Sequence, residues 1–194
     1  NGAGKSTTIK LILNAIKRDA GEVYVIGTEC GDPAFSSVKE DIGVVLDEAY
    51  FPEVLTAKNV GAVMKNTYSR WDAPLYERYL ADFAMPPDKM LRDFSRAMKM
   101  KLAIAAALSH HPLLLILDEA TSGLDPIVRD EILDIFNDFT RDESHSVLMS
   151  SHIVSDLEKI CDYIAFIYKG RLRFCEEKDR LLEEYAIVKM SKSD

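Results

Sequence analysis

The sequence has no long hydrophobic run, few cysteines and no cluster of basic residues. Its longest unbroken apolar stretch is the seven residues Leu102–Leu108, whereas a membrane-spanning helix needs about 20. The three cysteines are widely spaced and follow no metal-ligand pattern, which is typical of reduced thiols rather than of disulfides or zinc ligands. These absences exclude a membrane span in this sequence and a small disulfide-stabilised scaffold.

Positive charge is scarce relative to negative charge. The 194 residues include 24 basic and 32 acidic side chains, which gives a net charge of -8. A protein that holds a nucleic-acid backbone normally shows the opposite balance, so we expect no nucleic-acid partner. With 47% hydrophobic residues, the chain is long enough to bury one sizeable core.

Aliphatic strand patterns alternate with helical patterns along most of the chain. The runs at 42–46 and 113–117 are continuously apolar, as in strands that helices cover on both faces. Residues 51–109 differ, because helical patterns rich in aromatic side chains replace the strands. The pattern predicts a single α/β domain with a mostly parallel sheet flanked by helices. Its core would comprise about 1–50 and 110–194, with a helical subdomain inserted between them.

The sequence opens on a glycine-rich loop that leads into a helical pattern reaching about Lys17. Glycines allow the backbone to wrap closely around phosphate oxygens, a lysine reaches the β- and γ-phosphates, and a hydroxyl holds Mg²⁺. The alternative is a glycine-rich turn that only caps a helix. We expect a P-loop that binds ATP and Mg²⁺, with Ser6 as a metal ligand. The predicted nucleotide-binding residues are Asn1, Gly2, Ala3, Gly4, Lys5, Ser6 and Thr7.

The first glycine of the G-x-x-x-x-G-K-[ST] pattern would lie before Asn1, as would the strand that leads into the loop. We therefore expect an N-terminally truncated fragment whose first strand or strands are missing. A sheet without a central strand has unpaired backbone and an open core. On this expectation the 194-residue piece is unstable and binds ATP poorly.

Two acids follow the apolar strand pattern at 113–117, namely Asp118 and Glu119. Ligands of open α/β sheets bind beyond the carboxyl ends of the strands. Side chains alternate along a strand, so the two acids should have different roles. We expect Asp118 to hold Mg²⁺ through its water shell and Glu119 to orient or deprotonate an attacking water. The alternative is a strand edge that simply meets solvent.

The order of these motifs resembles that of the ABC ATPases over nearly the whole chain. After the two acids, the segment 120–125 (ATSGLD) looks like the family's E-P-T-S-G-L-D stretch, and 150–152 (SSH) looks like its switch-histidine segment. Asp47 falls at the Q-loop position, and 94–99 (FSRAMK) falls at the L-S-G-G-Q signature position. Aspartate in the Q-loop and the sequence Met-Lys-Met-Lys at 98–101 look most like ABC-2-type exporters of antibiotic peptides and drugs.

The resemblance implies an ATPase whose catalytic residues are Lys5, Glu119 and His152. The lysine would hold the phosphates, and the histidine would stabilise charge at the γ-phosphate. Asp47 would contact the metal and the attacking water. The family pattern further implies that Ser95 of one subunit closes over the ATP of another, and that Asp125 lines the interface between them.

The implied partners are a membrane-spanning permease subunit and a second ABC ATPase subunit, identical or not. The implied location is the cytoplasmic face of the cell membrane. A DNA-maintenance ATPase of the same superfamily would insert a long coiled coil between the Q-loop and the signature, but here Asp47 and Ser95 are 48 positions apart without sustained heptads. We therefore favour a transporter subunit over a DNA-maintenance ATPase.

Two residues depart from the family pattern and bear on the ATPase activity of the predicted transporter subunit. Arg96 and Ala97 stand where the signature has glycines, and both carry a Cβ where the family brings backbone close to phosphate. We expect a dimer with modest ATPase activity. The alternative is a nucleotide-binding regulatory module with impaired hydrolysis.

Aromatic side chains cluster at the start of the predicted helical subdomain. Tyr50, Phe51, Tyr68 and Trp71 all lie in or beside this segment. Packing in the core is the default prediction for such residues, and a surface that contacts a membrane partner is the alternative.

Overall fold

The computed structural model describes residues 2–47 and 51–184, so the predictions for Asn1 and Tyr50 lie outside the described residues. Within these ranges the helices are α1 Lys5–Ile12, α2 Phe35–Val38, α3 Ala57–Thr67, α4 Ala73–Asp82, α5 Arg96–Leu108, α6 Pro126–Phe139, α7 Val154–Ile160 and α8 Lys178–Glu184. The strands are β1 Tyr24–Val25, β2 Thr28–Glu29, β3 Ile42–Val45, β4 Leu114–Asp118, β5 Ser146–Ser150, β6 Tyr163–Tyr168 and β7 Arg171–Glu177. None of these helices combines the length and apolarity that a bilayer span requires.

A three-stranded parallel sheet in the order β3-β4-β5 forms the centre of the fold. Leu115 and Leu117 of β4 pack into a cluster with residues of α5 and α6, whereas Ile116 packs into a second cluster with Ile9 of α1. Apolar side chains therefore cover both faces of β4, which explains its unbroken aliphatic sequence. The predicted α/β class with a parallel sheet is confirmed.

Helix α5 lies close against β3 because Gly43 has no side chain. A Cβ at this position would lie 2.9 Å from the carbonyl oxygen of Ala107. The alanine-rich stretch of α5 is buried, with Ile104 fully inaccessible to solvent. Small residues on both elements thus allow the helix and the sheet to approach each other.

Helices α3, α4 and α5 share an apolar cluster of their own. Thr56 caps α3 through a capping box, and Asp72 caps α4 by accepting a hydrogen bond from the amide of Leu75 at 2.9 Å. The division of the chain into a core and an inserted helical subdomain stays a prediction.

The described aromatic residues of this region pack inward. Phe51 and Trp71 are half-buried against the cluster that α3, α4 and α5 share. The ring of Tyr68 stacks on buried His110 with the ring centroids 3.9 Å apart. These contacts agree with core packing, the default prediction for the group.

Helix α1 is shorter than its apolar periodicity predicts, ending at Ile12 rather than near Lys17. Asn14 adopts a left-handed backbone with φ of 51°. The amide of Ala15 donates to the carbonyl of Lys10, and that of Asn14 donates to the carbonyl of Leu11. This pair of hydrogen bonds is a Schellman motif, which closes the helix before the apolar pattern ends.

Two short antiparallel hairpins lie outside the parallel sheet, pairing β1 with β2 and β6 with β7. Each turn has two residues with positive φ, at Ile26-Gly27 and at Lys169-Gly170. Such turns match the twist of antiparallel strands and reverse the chain at once. This turn geometry explains why these four strands form hairpins outside the parallel sheet.

Candidate functional site

The phosphate loop has a backbone that only glycine adopts readily. Gly2 and Gly4 have φ values of 80° and 108°, and Gly4 is the N-cap of α1. Gly4 has no side chain to accept hydrogen bonds from the first-turn amides, and the first turn contains no acidic residue. The start of α1 therefore offers positive partial charge and amide donors to an anion.

The turn between β6 and β7 contacts this loop. The amide of Gly170 donates to the carbonyl of Ala3 at 2.9 Å, and a Cβ at Gly4 would lie 3.7 Å from the Cα of Gly170. Sequence reasoning gave Gly170 no role beyond the turn. Only the folded chain shows that this turn holds the phosphate loop.

Three predicted catalytic residues meet at the end of β4. The ammonium group of Lys5 lies 3.3 Å from Oε1 of Glu119, and Nδ1 of His152 lies 2.6 Å from Oε2 of the same carboxylate. The side chain of Glu119 is 14% exposed and that of His152 is 56% exposed. The carboxylate thus sits between a lysine at the phosphate loop and a histidine after β5.

The backbone turns sharply at Glu119, where φ is 53°. A positive φ at a residue other than glycine is uncommon and costs about 1–3 kcal/mol. The strand ends at Asp118, so the strand alternation on which the sequence argument rested does not extend to Glu119. Instead the left-handed backbone directs the two neighbouring acids into different surroundings.

Ser150 at the end of β5 holds both acidic residues. Its hydroxyl donates to Oδ1 of Asp118 at 2.5 Å, and the amide of Glu119 donates to its carbonyl oxygen at 3.0 Å. Asp118 is 6% exposed and Ser150 is 8% exposed. Sequence patterns put Ser150 in the switch-histidine segment but indicated no role for it. Its contact with Asp118 depends on the pairing of β4 with β5, which no local pattern reveals.

The residues present fit Mg²⁺ bound together with a triphosphate. In the described ranges, no group of three or more His, Cys, Asp or Glu side chains could hold a metal ion. Ser6 lies in the first turn of α1, and Asp118 ends the strand against which α1 packs. A hydroxyl and a single carboxylate suit Mg²⁺, which commonly takes its remaining ligands from water and phosphate oxygens.

A second group of predicted residues surrounds the start of α5. Ser95 caps this helix by accepting a hydrogen bond from the amide of Met98 at 3.2 Å. The guanidinium group of Arg96 lies 2.5 Å from Oδ1 of Asp47. It also lies against Gly123, where a Cβ would be 3.3 Å from its Cζ atom. The residues that depart from the family pattern at the Q-loop and the signature are therefore partners in space.

The structure brings together some of the predicted site residues and not others. Lys5, Glu119 and His152 form one cluster, whereas Asp47 belongs to the group at α5. Within the described residues, no hydrogen bond or ion pair joins Asp47 to this cluster. Asp125 caps α6 by accepting from the amide of Val128 at 3.1 Å. Thr7 is exposed in the first turn of α1.

A family model described as ABC transporter matches residues 1–122, which is more than half of the chain. The chain belongs to the ABC transporter family. The resemblance that the motifs indicated is therefore confirmed.

Several ABC transporter proteins are similar to the chain over most of its length. The lantibiotic transport ATP-binding protein SrtF of Streptococcus pyogenes is 33% identical over 183 residues, which cover 92% of this chain and 76% of SrtF. The bacitracin transport ATP-binding protein BcrA of Bacillus licheniformis is 33% identical over 177 residues, which cover 89% of this chain and 56% of BcrA. The chain spans about half to two thirds of the length of other curated relatives.

A solved structure of an ATP-binding subunit of an ABC transporter has the same fold. It superposes with a TM-score of 0.83 at 27% identity, covering 95% of this chain and 78% of that chain. The ABC transporter fold therefore extends over nearly the whole chain.

Proposed function

We propose that the chain binds ATP with Mg²⁺ and hydrolyses it. The observation that carries this proposal is the cluster of Lys5, Glu119 and His152, in which one carboxylate contacts a phosphate-loop lysine and a histidine. Phosphoryl transfer to water depends mainly on positioning and on neutralising charge. This cluster combines a cation, a candidate base and a second charge-stabilising group at one end of the sheet.

The proposed roles follow from the chemistry of each group. The backbone amides from Gly2 to Thr7 and the ammonium group of Lys5 hold the phosphates. Ser6 and Asp118 hold Mg²⁺, which supplies neutralisation of the phosphate charge when bound. Lys5 leaves Glu119 when it engages the phosphates, and the released carboxylate then orients the attacking water and accepts its proton.

His152 acts through the ring nitrogen that does not face Glu119. With Nδ1–H donated to an ionised carboxylate, Nε2 of the neutral ring is an acceptor. Donation from Nε2 to a γ-phosphate oxygen therefore requires the protonated imidazolium. The contact with Glu119 orients the ring in the proposed site, so that Nε2 can donate to the γ-phosphate when both ring nitrogens carry protons.

The proposed biological role is to power an ABC transporter through a separate membrane-spanning partner, at the cytoplasmic face of the membrane. Export is the proposed direction, because Asp47 at the Q-loop position and the sequence Met-Lys-Met-Lys at 98–101 resemble ABC-2-type exporters. The relatives SrtF and BcrA are named for lantibiotic and bacitracin transport, which agrees with a transporter of antibiotic peptides. A second ATPase subunit completes the site, with Ser95 and Asp125 at the contact between subunits. Modest turnover is proposed for this dimer, because Arg96 and Ala97 place side chains where the family pattern has glycines.

A regulatory module that binds nucleotide without efficient hydrolysis is the second candidate. The signature position favours this regulatory module, because Arg96 and Ala97 replace the glycines that the family brings close to phosphate. The cluster at Glu119 favours hydrolysis instead.

A vanadate-sensitive ATPase assay separates the two candidates. The full-length protein is reconstituted with its membrane partner, and phosphate release is measured with and without vanadate. Vanadate-sensitive turnover is expected. Binding of ATP without such turnover would support the regulatory module, and the absence of both would refute either proposal.

A further inference from the structure

Asp156 is a buried acidic residue that the proposed mechanism does not use. It lies in the first turn of α7 and is 2% exposed. The hydroxyl of Thr121, which is fully buried, donates to its Oδ2 atom at 2.7 Å. A buried carboxylate needs such partners, because an unmet acceptor loses the hydrogen bonds that water would provide.

The two residues join the chain segments that carry the proposed catalytic groups. Thr121 follows Glu119 by two residues, and Asp156 follows His152 by four. Between the same two segments, Ser150 holds Asp118 and the amide of Glu119. The contact of Glu119 with His152 therefore lies between two buried hydrogen bonds. One joins Ser150 to Asp118 at the strand ends, and the other joins Thr121 to Asp156 at α7.

The contact between Glu119 and His152 cannot hold this geometry alone. The side chain of His152 is 56% exposed, and exposed ion pairs contribute little to stability. The turn at Glu119 also has an unfavourable positive φ, which persists only where its surroundings constrain it. Thr121 lies within this turn, which the amide of Ser122 closes by donating to the carbonyl of Glu119 at 3.0 Å. The hydrogen bond of Thr121 to Asp156 therefore attaches the turn to α7.

We propose that Thr121 and Asp156 are positioning residues that align Glu119 with His152 for hydrolysis. This inference rests on the proposed ATPase function. The required feature is the hydrogen bond rather than the charge, because a hydroxyl can donate equally to a carboxylate or to an amide oxygen. The pair thereby connects the turn before Asp125 to the helix that follows the switch histidine.

Kinetics of matched variants test the proposal. Thr121→Val keeps the shape of the side chain but removes the donor, and Asp156→Ala removes the acceptor. Each should lower kcat by about 10- to 100-fold, as expected when catalytic groups are displaced by about 1 Å, and should leave the KM for MgATP nearly unchanged. Thr121→Ser and Asp156→Asn preserve the hydrogen bond and should retain most of the wild-type kcat.

Ser109→Ala is the matched control. Ser109 is also fully buried, and its hydroxyl donates to the carbonyl of Ala105 at 2.6 Å within α5. Its loss should lower the melting temperature without lowering kcat. A fall in kcat as large as that of Thr121→Val would show that the effect is general destabilisation and would overturn the proposal.

Nitrogen NMR of the histidine rings in the nucleotide-free, full-length protein gives a readout independent of ATPase activity. His152→Gln assigns the His152 resonance among the four histidines. Thr121→Val should shift the Nδ1 resonance of His152 toward that of a solvent-exposed ring, whereas Thr121→Ser and Ser109→Ala should not. An unchanged resonance in folded Thr121→Val would overturn the proposal even if hydrolysis proved absent for other reasons.

Discussion

The ends of β4 and β5 and the start of α5 both carry ABC motifs, but they are built differently. At the strand ends, Asp118 and Ser150 are buried and contact each other directly. At α5, the side chains of Arg96 and Asp47 are both 51% exposed. Buried hydrogen bonds hold a fixed geometry, whereas exposed ion pairs rearrange at little cost. The first region is therefore held by buried contacts within the chain, whereas the exposed ion pair of the second can rearrange at little cost.

Removing the proposed base should produce the largest effect in this comparison. Glu119→Gln should reduce kcat by about 10²- to 10⁴-fold, the usual contribution of a general base. ATP binding should persist, because the phosphate loop is unchanged. Steady-state kinetics and nucleotide titration check this, with exposed Glu143→Gln as the control. Retained hydrolysis would remove Glu119 from the proposed role.

Ser150→Ala should remove the buried hydrogen bond from the serine hydroxyl to Asp118. The change leaves a buried carboxylate without its serine partner, which should lower the free energy of unfolding by about 1–3 kcal/mol. Urea denaturation measures the loss, and Ser155→Ala on the exposed side of α7 is the control. If both variants unfolded with the same free energy, the buried hydrogen bond at the strand ends would contribute no more to stability than an exposed serine.

Restoring the glycines of the signature should alter the exposed region. Arg96→Gly combined with Ala97→Gly should raise ATPase turnover by up to about fivefold, the equivalent of an exposed ion pair of about 1 kcal/mol. Glycine also weakens a helix by about 1 kcal/mol per site, so turnover must be normalised to the folded fraction. A lower rate would indicate that Arg96 assists hydrolysis.

The ion pair itself should have the smallest effect. A double-mutant cycle of Arg96→Leu and Asp47→Asn should give a coupling energy of about 0.2–1 kcal/mol, which falls as salt concentration rises. Denaturation of the four proteins at low and high salt measures it. A coupling as large as the effect of Ser150→Ala would contradict the contrast between the two regions.

The sequence was most informative where structure depends on neighbouring residues. The starts of α5 and α6 can be recognised locally, because Ser95 and Asp125 cap these helices and Pro126 suits a first helical position. It was least informative at α1, where apolar periodicity continued beyond the helix. There the side chain of Asn14 donates to the distant carbonyl of Cys30, which accompanies its left-handed backbone.

The candidate site shows the same division. The residue types at 2–7, 118–119 and 152 identified the chemistry, because phosphate loops and acidic strand ends are contiguous patterns. The contacts between residues of distant segments could not be predicted from contiguous patterns. Asp47 and Arg96 are 49 positions apart, and neither residue alone indicates an ion pair.

The sequence by itself determined the ABC family, the order of the motifs and the ends of several helices, because each depends on a short stretch of chain. Only the tertiary structure decided that Lys5 and His152 share one carboxylate, that Arg96 pairs with Asp47, and that Thr121 joins Asp156. These contacts arise from the packing of β4 between its neighbouring strands and helices, and no local sequence pattern encodes the distances between segments that packing brings together.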